Sequence, residues 1–106
     1  MEPIKSVLKE ELDNSLRLKR QYEKELKKLP RGVLVCKVIK GHKYYYLAKR
    51  EGSKVKYFYK GKIPKEEIKK FNQIKRFRRK YRKLLREVNK QIDFLQKSIK
   101  SGKKAD

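Results

Sequence analysis

Residues 33–61, VLVCKVIKGHKYYYLAKREGSKVKYFYKG, decide the fold of this chain. The run 33–39 is β-branched and too short for a stable helix, and Gly41-His42 follows it as a turn. Residues 44–47 read as a second strand, Glu51-Gly52-Ser53 as a second turn, and residues 55–59 as a third strand closed by Gly61. Aromatic and β-branched runs separated by Gly-containing turns predict a three-stranded antiparallel meander over residues 31–62.

The turns carry a register. A two-residue loop at Gly41-His42 sets Ile39 opposite Tyr44, Val38 opposite Tyr45 and Cys36 opposite Leu47. A two-residue loop at Gly52-Ser53 sets Leu47 opposite Phe58 and Tyr46 opposite Tyr59. Directly opposite residues share a face. One face then holds Leu34, Cys36, Val38, Tyr45, Leu47 and Phe58, and its aliphatic character makes it the expected core. The other holds Lys37, Tyr44, Tyr46, Arg50, Tyr57 and Tyr59, with Val35, Ile39 and Val55. Tyrosine joins an apolar ring to a wettable hydroxyl and suits such a half-exposed face.

Helices flank the meander. Over residues 4–29, Ile4, Leu8, Leu12, Leu18, Tyr22, Leu26 and Leu29 recur at steps near three or four. Pro3 suits a first helical turn, and Pro30 stops the helix. Pro64 opens a second helix over residues 65–100. Its apolar seam is Phe71, Ile74, Tyr81, Leu85, Val88, Ile92, Leu95 and Ile99, interrupted only by Arg78. Heptad spacing of this regularity predicts a coiled-coil-like helix. Arg78 marks the place where the helices diverge, or sets register, or points at nucleic acid. Residues 101–106 are expected to be a disordered basic tail. The fold class is α+β, ordered α-β-β-β-α within a single domain, with the two helices paired antiparallel.

The charge is uneven. The 106 residues carry 34 Lys+Arg against 12 Asp+Glu, a formal net charge of +22. Residues 1–30 are near balance, with 8 basic and 6 acidic side chains. Residues 31–62 hold 10 basic and 1 acidic, and residues 63–106 hold 16 basic and 5 acidic. Between Glu67 and Glu87 there is no acid, and residues 75–86, KRFRRKYRKLLR, hold eight Lys/Arg. Such a block binds polyanions, because each neutralised phosphate releases a condensed counterion. The tyrosine-bearing sheet adds a stacking platform for bases. The candidate nucleic-acid-binding residues are therefore Lys75, Arg76, Arg78, Arg79, Lys80, Arg82, Lys83 and Arg86 on the helix. On the meander they are Lys37, Lys43, Tyr44, Tyr46, Arg50, Lys54, Lys56, Tyr57, Tyr59 and Lys60.

Other classes fit poorly. One Cys, Cys36, forms no disulfide within the chain, and one His, His42, leaves too few ligands for the usual zinc sites. The acids are scattered rather than convergent, so no catalytic residue, metal or cofactor is expected. No apolar run reaches membrane-spanning length, the N-terminus lacks a secretory h-region, and a cytoplasmic location is expected.

The central stretch resembles an uncharacterised prokaryotic small basic domain found in bacteria, archaea and mobile elements. The matching residues are Leu29-Pro30-Arg31-Gly32, Lys40-Gly41-His42-Lys43-Tyr44-Tyr45-Tyr46-Leu47, Arg50-Glu51-Gly52-Ser53-Lys54-Val55-Lys56 and Tyr59-Lys60-Gly61-Lys62. The resemblance implies a basic meander followed by a coiled-coil-like helix, and no named ligand. By architecture alone, the basic sheet is also similar to the arm-binding domains of tyrosine recombinases. The expected function is non-enzymatic nucleic-acid binding, RNA ahead of DNA, alone or within a ribonucleoprotein. The alternative is a phage or mobile-element interaction protein that inhibits or assists a nucleic-acid enzyme such as a CRISPR effector, with a protein partner or homodimer through the second-helix seam. No membrane partner is expected.

Overall fold

The computed structural model describes residues 2–105, with side chains for residues 3–101. Helix α1 (Glu2–Lys28) precedes strands β1 (Val33–Ile39), β2 (His42–Glu51) and β3 (Lys54–Gly61), and helix α2 (Lys65–Ala105) follows. The expected α-β-β-β-α order is observed, and the strands form one antiparallel sheet in the order β1-β2-β3. The chain gathers into two compact units. One joins α1 to α2 from Arg79 onward, and the other spans Leu29–Arg78.

Turn chemistry sets the sheet. Ile39 pairs with His42, so the first loop is Lys40-Gly41, not Gly41-His42. Both loop residues have positive φ, 51° at Lys40 and 79° at Gly41. That is the pattern of a type I′ turn, whose twist matches the flanking strands and which favours glycine at its second position. The correction moves every β1–β2 pair by two residues: Cys36 lies opposite Tyr45, and Leu34 opposite Leu47. An even slip leaves each side chain on its expected face. The second loop is Gly52-Ser53 as expected, with Leu47 opposite Phe58 and Tyr46 opposite Tyr59. A bulge at Tyr45/Tyr46 ends this ladder, pairing Tyr45 with Gly61.

The expected core face is covered only in part. Leu47 is the one buried side chain of the sheet, at 7% exposure. Leu34 and Tyr45 on the same face are half-buried, while Cys36, Val38 and Phe58 are exposed. Leu47 is covered where the chain enters β1. A Cβ on Gly32 would lie 2.9 Å from Leu47 Cδ1, so only glycine lets the backbone cross there, and its φ of 104° reinforces the requirement. Gly32, Val33 and Leu34 line one small cavity with Phe71, Asn72, Lys75 and Arg78, which puts the first turns of α2 against this end of the sheet. Pro64 stands just outside α2, and its carbonyl accepts from the Ile68 and Glu67 amides.

In the other unit the α2 seam is the core. Val88, Ile92, Leu95 and Ile99 are buried, and Tyr81 and Leu85 are half-buried. The facing stripe of α1 differs from the sequence reading. Leu8, Leu12, Ser15, Lys19, Tyr22 and Leu26, at alternating steps of four and three, are covered, with Lys5, Asn14, Leu16 and Glu25 half-buried beside them, while Ile4 and Leu18 are exposed. Ser15 is the most buried side chain described, at 2% exposure. The Tyr22 and Tyr81 rings meet at 6.1 Å between centroids. One heptad back from Tyr22 is Ser15, and one heptad on from Tyr81 is Val88. A further heptad reaches Leu8 and Leu95. From that contact the covered stripes run towards the start of α1 and the end of α2, which share one unit, so the helices lie antiparallel as expected.

Helix α2 continues through residues 101–105, where a disordered tail was expected; Asp106 lies outside the described residues. A glycine costs about 1 kcal/mol in a helix without forbidding it, and lysines are favoured near the C-terminus by the helix dipole.

Enlarging Ser15 tests the seam. Ser15→Leu adds volume to a filled site and lowers unfolding free energy by about 1–3 kcal/mol. Ile92→Ala removes buried methylenes and costs about 2–5 kcal/mol. Ile4→Ala, on an exposed position, stays within about 0.5 kcal/mol. Urea unfolding followed by circular dichroism measures all three.

Candidate nucleic-acid interface

Alternation along the strands puts Lys37, Tyr44, Tyr46, Arg50, Tyr57 and Tyr59 on the sheet face opposite Leu47, as the register argument requires. The tyrosines form a cluster there. Tyr59 lies 5.3 Å from Tyr46 and 6.5 Å from Tyr44 between ring centroids, in tilted geometry. The Lys37 ammonium stands 5.2 Å above the Tyr46 ring, a cation–π placement. Tyr44 and Tyr46 are half-buried by this mutual packing, whereas Tyr57 and Tyr59 on the edge strand β3 are 61% and 62% exposed.

The remaining meander cations do not share that face. Lys43, Lys54 and Lys56 project with Leu47 and Phe58 from the other one. Lys56 pairs with Glu51 at 2.9 Å, which offsets part of its charge. Lys60 lies on β3 at the bulged end of the ladder and is exposed. Sequence reasoning passed over Lys49, whose ammonium lies 5.8 Å above the Phe58 ring. Its signal was its place two residues after Leu47. Partial burial, and after it the Cys36 thiol directly opposite, raises the Tyr45 phenol above its ordinary value. His42 is exposed at the start of β2.

The basic stretch of α2 divides by task. Lys75, Arg76, Arg79, Lys80, Arg82, Lys83 and Arg86 are exposed, and none of them forms an ion pair among the described residues. In the helical unit, Arg79, Arg82 and Arg86 follow one row along α2, and Lys80 and Lys83 a second. Lys75 and Arg76 belong to the sheet-bearing unit.

Arg78 has a different role. It is half-buried, and its guanidinium donates to the Pro30 carbonyl at 2.7 Å and, at 3.4 Å, to the Gly32 carbonyl. The polar break in the seam is thus a fork gripping the loop that crosses Leu47. None of the three readings open for Arg78 in the sequence included this loop contact. It falls at the last residue of the sheet-bearing unit, where the seam passes from covering the sheet to covering α1.

Among the described residues, no group of three or more His, Cys, Asp or Glu side chains converges as a metal site. Among those same residues, no helix is long and apolar enough to cross a membrane. Residues 6–70 match the family model described as Domain of unknown function (DUF6788), more than half of the chain and including the whole meander. The chain belongs to that family. Comparison with curated proteins and with solved structures gave no match.

Removing the fork tests its role. Arg78→Met leaves two loop carbonyls without their charged donor and lowers stability by about 1.5–3 kcal/mol. Arg78→Lys recovers only part of this, because an ammonium lacks the planar fork that reaches both oxygens. Arg79→Met, one residue along but exposed, changes stability by less than about 0.5 kcal/mol. Thermal and urea melts read the differences.

Proposed function

We propose that this member of the DUF6788 family is a non-enzymatic nucleic-acid-binding protein, with RNA favoured over DNA. The observation that carries the reading is the set of seven exposed cations from Lys75 to Arg86 with no counter-ion among the described residues. Uncompensated like charges on one helix repel unless an external polyanion neutralises them. Phosphates do so with release of condensed counterions, which makes affinity high and salt-sensitive. The pairing of α1 with α2 from Arg79 onward then acts as a brace, holding Arg79, Lys80, Arg82, Lys83 and Arg86 outward. The tyrosine face of the sheet adds ring surface, and unpaired bases in RNA offer the faces that stack on it. Specificity is modest, since no recognition-helix or zinc-finger pattern is present.

A second reading has its own support. Ile4, Val7 and Phe94 are 62%, 57% and 67% exposed in the helical unit, which favours a protein partner such as a nucleic-acid enzyme that this chain inhibits or assists. The seam itself is the less available surface, because α1 already buries it.

A salt titration of binding to a 30-nucleotide RNA, read by fluorescence anisotropy, checks the main reading. The logarithm of affinity falls linearly with the logarithm of salt, with a slope worth several phosphates. A flat slope would refute the electrostatic model. Replacing Arg76, Arg79, Lys80 and Lys83 together by Glu lowers affinity at least ten-fold while the helical circular dichroism signal stays, because all four side chains are exposed.

A further inference from the structure

We infer that the tyrosine face of the sheet is a binding site for an unpaired, extended stretch of RNA, with Tyr57 and Tyr59 each taking one base. The inference rests on the nucleic-acid-binding reading and narrows it to single strands. Three observations carry it.

The first is exposure. Tyr57 and Tyr59 are 61% and 62% exposed, and no other ring packs on Tyr57 among the described residues. Large aromatic side chains left open on a strand are costly to solubility and favour edge-to-edge association, unless something else covers them. The second is spacing. The two residues are alternate positions on β3, so their side chains rise from one face about 6.8 Å apart. Bases within a stacked strand are about 3.4 Å apart. Successive bases can rest on both tyrosines only if they are splayed from each other, which a duplex forbids and a single strand allows. The third is charge. Lys37 and Arg50 lie on the same face and are exposed, and the Leu29–Arg78 unit that carries them has 16 basic against 3 acidic side chains. That field draws in phosphates and holds the backbone beside the rings. An acidic protein answers the charge, but it has no use for two exposed tyrosine rings at this interval.

The division of labour follows. Cations supply affinity that is blind to strandedness, and the two tyrosines supply preference for unpaired bases. Because every base has a π-face, the preference is for strandedness and not for sequence.

The test compares the full chain with Tyr57→Leu/Tyr59→Leu and with Tyr57→Phe/Tyr59→Phe. The probes are a 12-nucleotide oligo(A) RNA, its duplex with oligo(U), and polyglutamate of matched length. The leucine pair loses at least about ten-fold in affinity for oligo(A), with unchanged salt slope and unchanged affinity for the duplex. The phenylalanine pair binds oligo(A) as the parent does, since the ring and not the hydroxyl stacks. Circular dichroism confirms that both variants keep the fold, and single Tyr57→Leu, at a position without ring partners, shows part of the loss if the double variant is destabilised. Equal oligo(A) affinity in parent and leucine variants overturns this inference while leaving the nucleic-acid reading intact. Equal loss on oligo(A) and duplex overturns it too. Polyglutamate binding that is as tight and as tyrosine-dependent overturns it in favour of an acidic protein. Failure of the parent to bind either RNA overturns both.

Discussion

The sheet-bearing unit depends on one guanidinium. Arg78 reaches from α2 to the carbonyls of Pro30 and Gly32, residues 48 and 46 positions earlier in the chain. With those oxygens held, Gly32 lies over Leu47, and Leu47 is the only buried side chain the three strands possess. A sheet this small cannot close over a core of its own. It is anchored at one end, where loop, strand and helix meet, while most of edge strand β3 is open to solvent. That openness leaves the tyrosine face available, so the weakness of the core and the availability of the candidate site have one cause.

The helical unit solves a different problem. Its two stretches must pack although one of them carries a dense row of cations. The seam does this by keeping every cation from Arg79 to Arg86 off the buried stripe, while Tyr81, Leu85 and Val88 take the inward positions. Near-balanced α1 can therefore lie against strongly basic α2 without bringing like charges into contact across a dry interface. The net charge of +22 is thus compatible with an ordered chain. The repulsion is directed outward, where a polyanion can relieve it.

Much of this was legible beforehand, and what was missed has specific causes. The α2 seam was readable because eight apolar residues repeat with a helical period, and the second hairpin because Gly52-Ser53 admits one obvious loop. The first hairpin was misplaced by two residues. Lys40-Gly41 and Gly41-His42 both contain the glycine a tight turn needs, and the choice rests on a lysine accepting positive φ. Ser15 was missed because a serine carries no apolar signal, although its side chain is the most buried one described. Leu18 was included for its apolar side chain and proved exposed. Among the candidate site residues, parity along the strands sorted the tyrosines, Lys37 and Arg50 correctly onto one face, yet Lys43, Lys54, Lys56 and Lys60 joined the site without regard to face.

The amino-acid sequence by itself determined the order of elements, the periodicity of both helices, the alternation of the strands and the lopsided charge. Each of these is encoded in windows of a few to a few tens of residues, where propensity, period and turn chemistry act locally. Only the tertiary structure decided which part of the sheet is covered and that Arg78 serves the loop. It also decided that Ser15 is the most buried side chain described. Coverage and the pairing of distant groups depend on where the chain returns to itself, and residues separated by nearly half the sequence carry no local signal of one another.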